Sequence, residues 1–176
     1  MRTSLADVQC SIARTMEAIG DAWSMLILRD VFAGITRFEV LHEDLGLSRK
    51  TLAARLEGLV ADGILERRAY SEHPPRYDYL PSEKGAQLFP VIAAMMAWGD
   101  RWGSEGAGAP AIIRHTSCGA VTTAQVTCSQ CGEPLELGAC TTEAGPAGRT
   151  GPRTRVLGPM LAARRAHAAG ATEARR

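Results

Sequence analysis

Two short helices joined by three residues, then a strand, a turn and a second strand constrain this 176-residue chain more than any other feature. TRFEVLHEDLG reads as the first helix, with Thr36 as its expected N-cap and Phe38, Leu41 and Leu45 on one face. Gly46 and Leu47 make a tight connection, and Ser48 caps a second helix whose apolar face is Leu52, Leu56, Leu59 and Val60. Helices this short, joined this closely, form a helix-turn-helix. Gly63 stops the second helix. ILERRAY and RYDYL then have strand character, and SEHPP, Ser71 to Pro75, supplies the turn between them. The expected fold class is mainly α with a small β-hairpin wing, an α+β arrangement.

The flanks extend this nucleus. Residues 5–34 read as helical, because Met16, Ile19, Trp23, Leu26, Ile27 and Val31 recur at spacings of three and four, with Gly34 as the stop. Ser82 opens a longer helix whose seam is Leu88, Ile92, Met95 and Trp102, with Pro90 either kinking it or marking a late start. GSEGAGAP has the composition of a linker. The reading divides the chain into a helix-turn-helix and dimerisation domain (1–102), a linker (103–111), a Cys-rich unit (112–143) and a tail (144–176). No internal repeat is present.

Charge is uneven along the chain. Up to Glu143 there are 13 Lys/Arg against 18 Asp/Glu, and from Ala144 onward 7 Arg against one Glu. A mildly acidic body thus carries a basic tail. LGPMLAARRAHAA is expected to make at most a short helix and the rest of the tail to be disordered. The tail either adds non-specific affinity for phosphates or is a solvated extension. No apolar run is long enough for a membrane helix and no secretory pattern opens the chain, so a cytoplasmic location is expected. In that reducing compartment the five cysteines read as metal ligands or redox thiols rather than disulfides.

A helix-turn-helix followed by a hairpin is the winged-helix arrangement. Its second helix fits the major groove of double-stranded DNA. The free N–H groups at that helix start attract phosphate, and Arg49 and Lys50 add full charges. With the leucines facing the core, Lys50 and Ala54 point outward, and Arg49, Thr51 and Arg55 lie on the flanks. Ser48 caps the helix beside them. Arg37 from the preceding turn and His73 and Arg76 at the hairpin complete the candidate DNA-contacting set. The same leucine pattern also serves helices that only fill a core.

Residues 10–102 resemble the HxlR-type family of winged-helix transcriptional regulators. The resemblance is carried in order by Cys10, GDAWSMLILRDVFAG, TRFEVL, LGLSRKTLAARLEGLVADGILERRAY, HPPRYDY, SEKG and LFPVIAAMMAWGDRW. It implies a homodimer built by the N-terminal helices and the Leu88–Trp102 helix. It also implies binding to an inverted-repeat operator, usually as a repressor answering a small-molecule or redox effector. Pro81 departs from the family pattern, which has an apolar residue there, so the second wing strand is expected to end early or lie at an edge. Cys10 matches the family's N-terminal cysteine, a redox-sensing candidate in some relatives. The alternative is an inert thiol packed between helices.

HTSCGAVTTAQVTCSQCGE stands apart. His115-x-x-Cys118-Gly and Cys128-x-x-Cys131-Gly are two ligand pairs nine residues apart, the spacing with which two tight knuckles grip one tetrahedral zinc ion. A structural zinc in a small zinc-ribbon-like unit is the expectation, with Cys140 as a spare ligand. The rivals are a degenerate ribbon and a redox CSQC motif, although no βαβ context for the latter is visible. No catalytic constellation is found, and an enzyme is not expected. The competing functional classes are a protein-interaction module built on the winged helix and a redox-active CxxC protein.

Overall fold

The computed structural model describes residues 4–103, 106 and 108–173, so the expected linker falls partly outside the described residues. They form two compact units, Asp21–Pro134 and, separately, the residues up to Gly20 with those from Leu135 onward. These boundaries differ from those drawn on the sequence.

In the larger unit, helix α2 (Ala22–Phe32) leads into α3 (Phe38–Leu45) and α4 (Arg49–Ala61). The helix expected over residues 5–34 is two helices, because Asp21 caps α2 by accepting the Ser24 N–H at 3.0 Å. Gly20 ends the earlier helix α1 (Ser11–Ile19), where a β-carbon would collide with the Met16 carbonyl. The N-cap of α3 is Arg37, not Thr36. Gly46 closes α3 at φ 63°, a left-handed conformation that favours glycine.

Ser48 begins α4 by accepting the Thr51 N–H at 3.1 Å. We expect Ser48→Ala to cost about 0.5–2 kcal/mol of stability, read as a lower urea midpoint at unchanged slope. Leu52, Leu56 and Leu59 are fully buried, as are Ile27 and Leu28 of α2 and Leu41 of α3, in the core of this unit. Asp30 is buried too. Desolvation raises its carboxyl pKa against the opposing pull of Arg29, which donates to it at 2.7 Å and also reaches Asp44 of α3.

After Gly63, also left-handed at φ 66°, strand β1 (Leu65–Glu72) pairs antiparallel with β2 (Pro75–Pro81). The strands run further than expected and leave only His73 and Pro74 at the tip. Pro81 lies opposite Leu65 at the end of the ladder, where a missing N–H costs no internal bond. The free edge of β2 meets the turn before α3: Tyr79 N–H donates to the Thr36 carbonyl at 2.8 Å and the Thr36 hydroxyl donates to Asp78 at 2.8 Å. Thr36 is thus used across the wing rather than as a helix cap.

Ser82 caps a four-residue helix α5 (Glu83–Ala86), and a new helix α6 runs from Phe89 to Gly103. Pro90 therefore marks a late start, in the first turn where proline removes no helix bond. Ile92 and Ala93 turn inward, while Val91, Met95, Trp98 and Trp102 form a solvent-facing stripe. The expected seam is corrected accordingly, because Ile92 belongs to the core and Trp98 to the stripe. A short hairpin, β3 (Ile113–Arg114) with β4 (Val121–Thr122), follows near the inward side of α6.

The smaller unit contains α1 and the C-terminal helix α7 (Leu157–Glu173). Leu5 N–H donates to Glu17 of α1 at 2.7 Å. The tail is more ordered than its composition implies. Alanine-rich sequence favours helix, and Arg164 and Arg165 of α7 donate to the Thr142 and Ala144 carbonyls at 3.3 and 2.9 Å.

Candidate nucleic-acid interface

Three local structures converge in the larger unit: the start of α3, the first turn of α4, and the hairpin tip. Phe38 and Glu39 of α3 line one recess with Tyr70, Pro74, Arg76 and Tyr79 of the hairpin. Glu39 also receives both terminal nitrogens of Arg49, one at 2.9 Å, and the Arg49 guanidinium lies 5.6 Å from the Phe38 ring centre. The Arg49 hydrogen bond holds the Glu39 carboxyl below the usual carboxylate range, with smaller help from the charges of His42 and Arg76. Glu39 in return raises the Arg49 pKa. Arg49 and Arg76 thus flank one carboxylate, and the helix start and the wing share a face.

The other candidates fall into three groups. Lys50 and Ala54 are exposed on the outer side of α4, and among the described residues Lys50 takes no ion pair. Thr51 is half-buried and hydrogen-bonded to Ser48 through its N–H and its hydroxyl. His73 stands exposed at the tip of the wing. Arg37 is held on the hairpin, 4.6 Å from the Tyr70 ring centre and 3.7 Å from Asp78. Arg55 turns away from this face: its Nε lies 3.3 Å from the Asp21 carboxylate, joining α4 to the start of α2. This pairing gives Arg55 a structural role that the helical wheel, which puts it on a flank of α4, does not show.

Sequence reasoning missed Glu39, whose pairing with Arg49 spans ten residues and has no periodic signature. It also missed Arg67 and Arg68 on β1. Arg67 stacks over Tyr77 at 4.7 Å, a cross-strand pair that strand alternation alone would have flagged.

The cysteines lie elsewhere. Cys10 is half-buried at the N-cap of α1. His115 Nδ1 lies 3.4 Å from Cys118 Sγ, and the Cys128 thiol is acidified by N–H groups of Cys131 and Gln130 and by the Cys131 side chain. Among the described residues no three His, Cys, Asp or Glu side chains converge on one metal-sized position.

Residues 18–107 match the model of the HxlR-like helix-turn-helix family. The chain belongs to that family. A helix-turn-helix-type transcriptional regulator of Mycobacterium tuberculosis, Rv3095, is 39% identical over 136 residues, which cover 77% of this chain and 86% of the relative. The crystal structure of PA1607, a candidate transcription factor, is 33% identical and superposes with a TM-score of 0.72, covering 81% of this chain and all of that one. The reduced form of the redox regulator HypR superposes at 0.50 with 26% identity, over 56% of this chain and 96% of that one. The HxlR-like match spans the helix-turn-helix and the wing, which build the candidate interface, and α6. No described helix is long and apolar enough to cross a membrane.

Proposed function

We propose that the protein is a sequence-specific DNA-binding transcriptional regulator that acts as a homodimer on an inverted-repeat operator. The observation that carries this reading is that Arg49 pairs with Glu39, which shares a recess with the wing residue Arg76, beside the exposed Lys50 at a capped helix start. The α4 N-terminus enters the major groove and small Ala54 lets the helix approach the base edges. Lys50 reaches for phosphate or a guanine edge. Arg49 exchanges Glu39 for a DNA acceptor, and Arg76 with His73 contacts the neighbouring backbone.

A second copy covers the α6 stripe. Trp98 and Trp102 are 69% and 66% exposed and Met95 is 51% exposed, which is costly for a monomer. The effector is a small molecule or an oxidant acting on Cys10, a reading supported by the likeness to HypR. Repression is the expected sign of regulation.

Selection of genomic fragments by the purified protein tests the operator. Enriched sites are expected to be inverted repeats whose half-sites are centred about 10 base pairs, or a multiple of that, apart. Enrichment of no common sequence would contradict the reading.

A further inference from the structure

The segment after α6 poses a physical problem. Between Ala111 and Pro134 no side chain is buried, and Ile112, Val121 and Val126 are largely exposed. Strands β3 and β4 are two residues each. A segment with so little apolar burial does not order itself, and isolated two-stranded hairpins are marginal in water. Something other than a core must hold this shape.

Two stretches of it carry the same backbone structure. In the first, the His115 N–H donates to the Ala120 carbonyl at 2.9 Å and the Gly119 N–H donates to the His115 carbonyl at 2.8 Å. In the second, the Cys128 N–H donates to the Glu133 carbonyl at 2.8 Å and the Gly132 N–H to the Cys128 carbonyl at 2.9 Å. The glycine after each pair is left-handed, at φ 70° and 78°. The first turn brings its two ligand-type side chains together, the His115 ring nitrogen meeting the Cys118 sulfur at 3.4 Å, and the second repeats that backbone turn with Cys128 and Cys131 in the same two positions.

We infer that these twin knuckles are the two halves of a tetrahedral zinc site formed by His115, Cys118, Cys128 and Cys131. Three thiolates and an imidazole are a soft donor set suited to zinc. Among the described residues the two pairs do not converge on one point, so the assignment requires them to approach each other as the ion binds, and metal binding then supplies folding energy to the segment. Binding is balanced by release of the thiol protons of Cys118, Cys128 and Cys131 to solvent. Four protein ligands leave no position for water, so the site is structural.

The test uses the full chain purified under reducing conditions. Elemental analysis is expected to give one zinc per chain, retained through gel filtration with a mild chelator. Cobalt substituted for zinc is expected to give the strong visible absorption of a tetrahedral site and a near-ultraviolet thiolate band. Cys118→Ser, Cys128→Ser and Cys131→Ser should each abolish or greatly weaken metal retention. Cys10→Ser and Cys140→Ser should leave it unchanged. If a variant fails to fold, thiol titration of the native wild-type chain decides, since three of five cysteines should be protected until zinc is removed. Chains without zinc, zinc that the chelator strips and that Cys128→Ser does not affect, or five freely reactive thiols would overturn the assignment. So would a Cys128–Cys131 disulfide forming at the same rate with or without added zinc. None of these readouts depends on DNA binding, so the two proposals stand or fall separately.

Discussion

Replacing both Trp98 and Trp102 with glutamate is expected to convert the proposed dimer to a monomer at micromolar concentration. Each buried aromatic contributes about 1.5–3 kcal/mol to an interface, and the pair counts twice across a two-fold axis. Two like-charged carboxylates facing their copies add repulsion. Because both tryptophans are largely exposed in the protomer, its own fold is expected to survive, with an unchanged helical circular dichroism signal. Operator affinity should fall by roughly a hundredfold or more, since a dimer places its second reading head on the duplex at high effective concentration. Light scattering after gel filtration checks the first expectation and a binding titration the second. A double variant that remained dimeric would remove the α6 stripe from the interface.

Arg49→Ala and Lys50→Ala are each expected to weaken operator binding by about tenfold or more, the value of one good base or phosphate contact. The two should differ in character. Among the described residues Lys50 takes no ion pair, so its loss removes an available contact. Arg49 must leave Glu39 to reach DNA, so Arg49→Ala also leaves that carboxylate on the face without the arginine that hydrogen-bonds it. Arg49→Ala should therefore be the more damaging. Both residues are exposed, and thermal stability should change little. Arg55→Ala makes the useful contrast. Its guanidinium sits against Asp21, so the expected effect is on stability, and operator affinity measured well below the melting transition should be nearly preserved. Anisotropy titrations on one labelled operator, paired with thermal melts, separate these cases.

The central fold was legible because its determinants are local. Leu52, Leu56 and Leu59 announce a buried helix face, Ser48 its start and Gly63 its end, and all five take those roles. The hairpin was equally legible from its strands and turn residues. What escaped depends on partners distant in sequence. Arg55 turns inward only because Asp21 waits for it, and Thr36 serves the wing only because Asp78 lies across from it. The break before α2 was local, but the apolar rhythm spanning Gly20 and Asp21 hid it. On α6 the periodicity was read with a gap of seven that skipped Trp98. A 3.6-residue repeat instead aligns Val91, Met95, Trp98 and Trp102. The tail was judged by composition, which flags a lack of large apolar groups but undervalues a run of alanines. Of the candidate interface, the helix start and Arg76 came from sequence alone. Glu39, the residue that links them, did not.

The most direct test of the central account is binding of the purified protein to a labelled duplex from its own upstream region, titrated with salt and with non-specific competitor DNA. If Arg49, Lys50 and Arg76 of each protomer neutralise phosphates, the logarithm of the affinity should fall with the logarithm of salt with a slope of roughly −5. The complex should also survive a large excess of competitor. Lys50→Ala in both protomers should flatten that slope by about two. A flat salt dependence, or binding that competitor removes in full from every fragment enriched in the genomic selection, would contradict a regulator that reads DNA through this face.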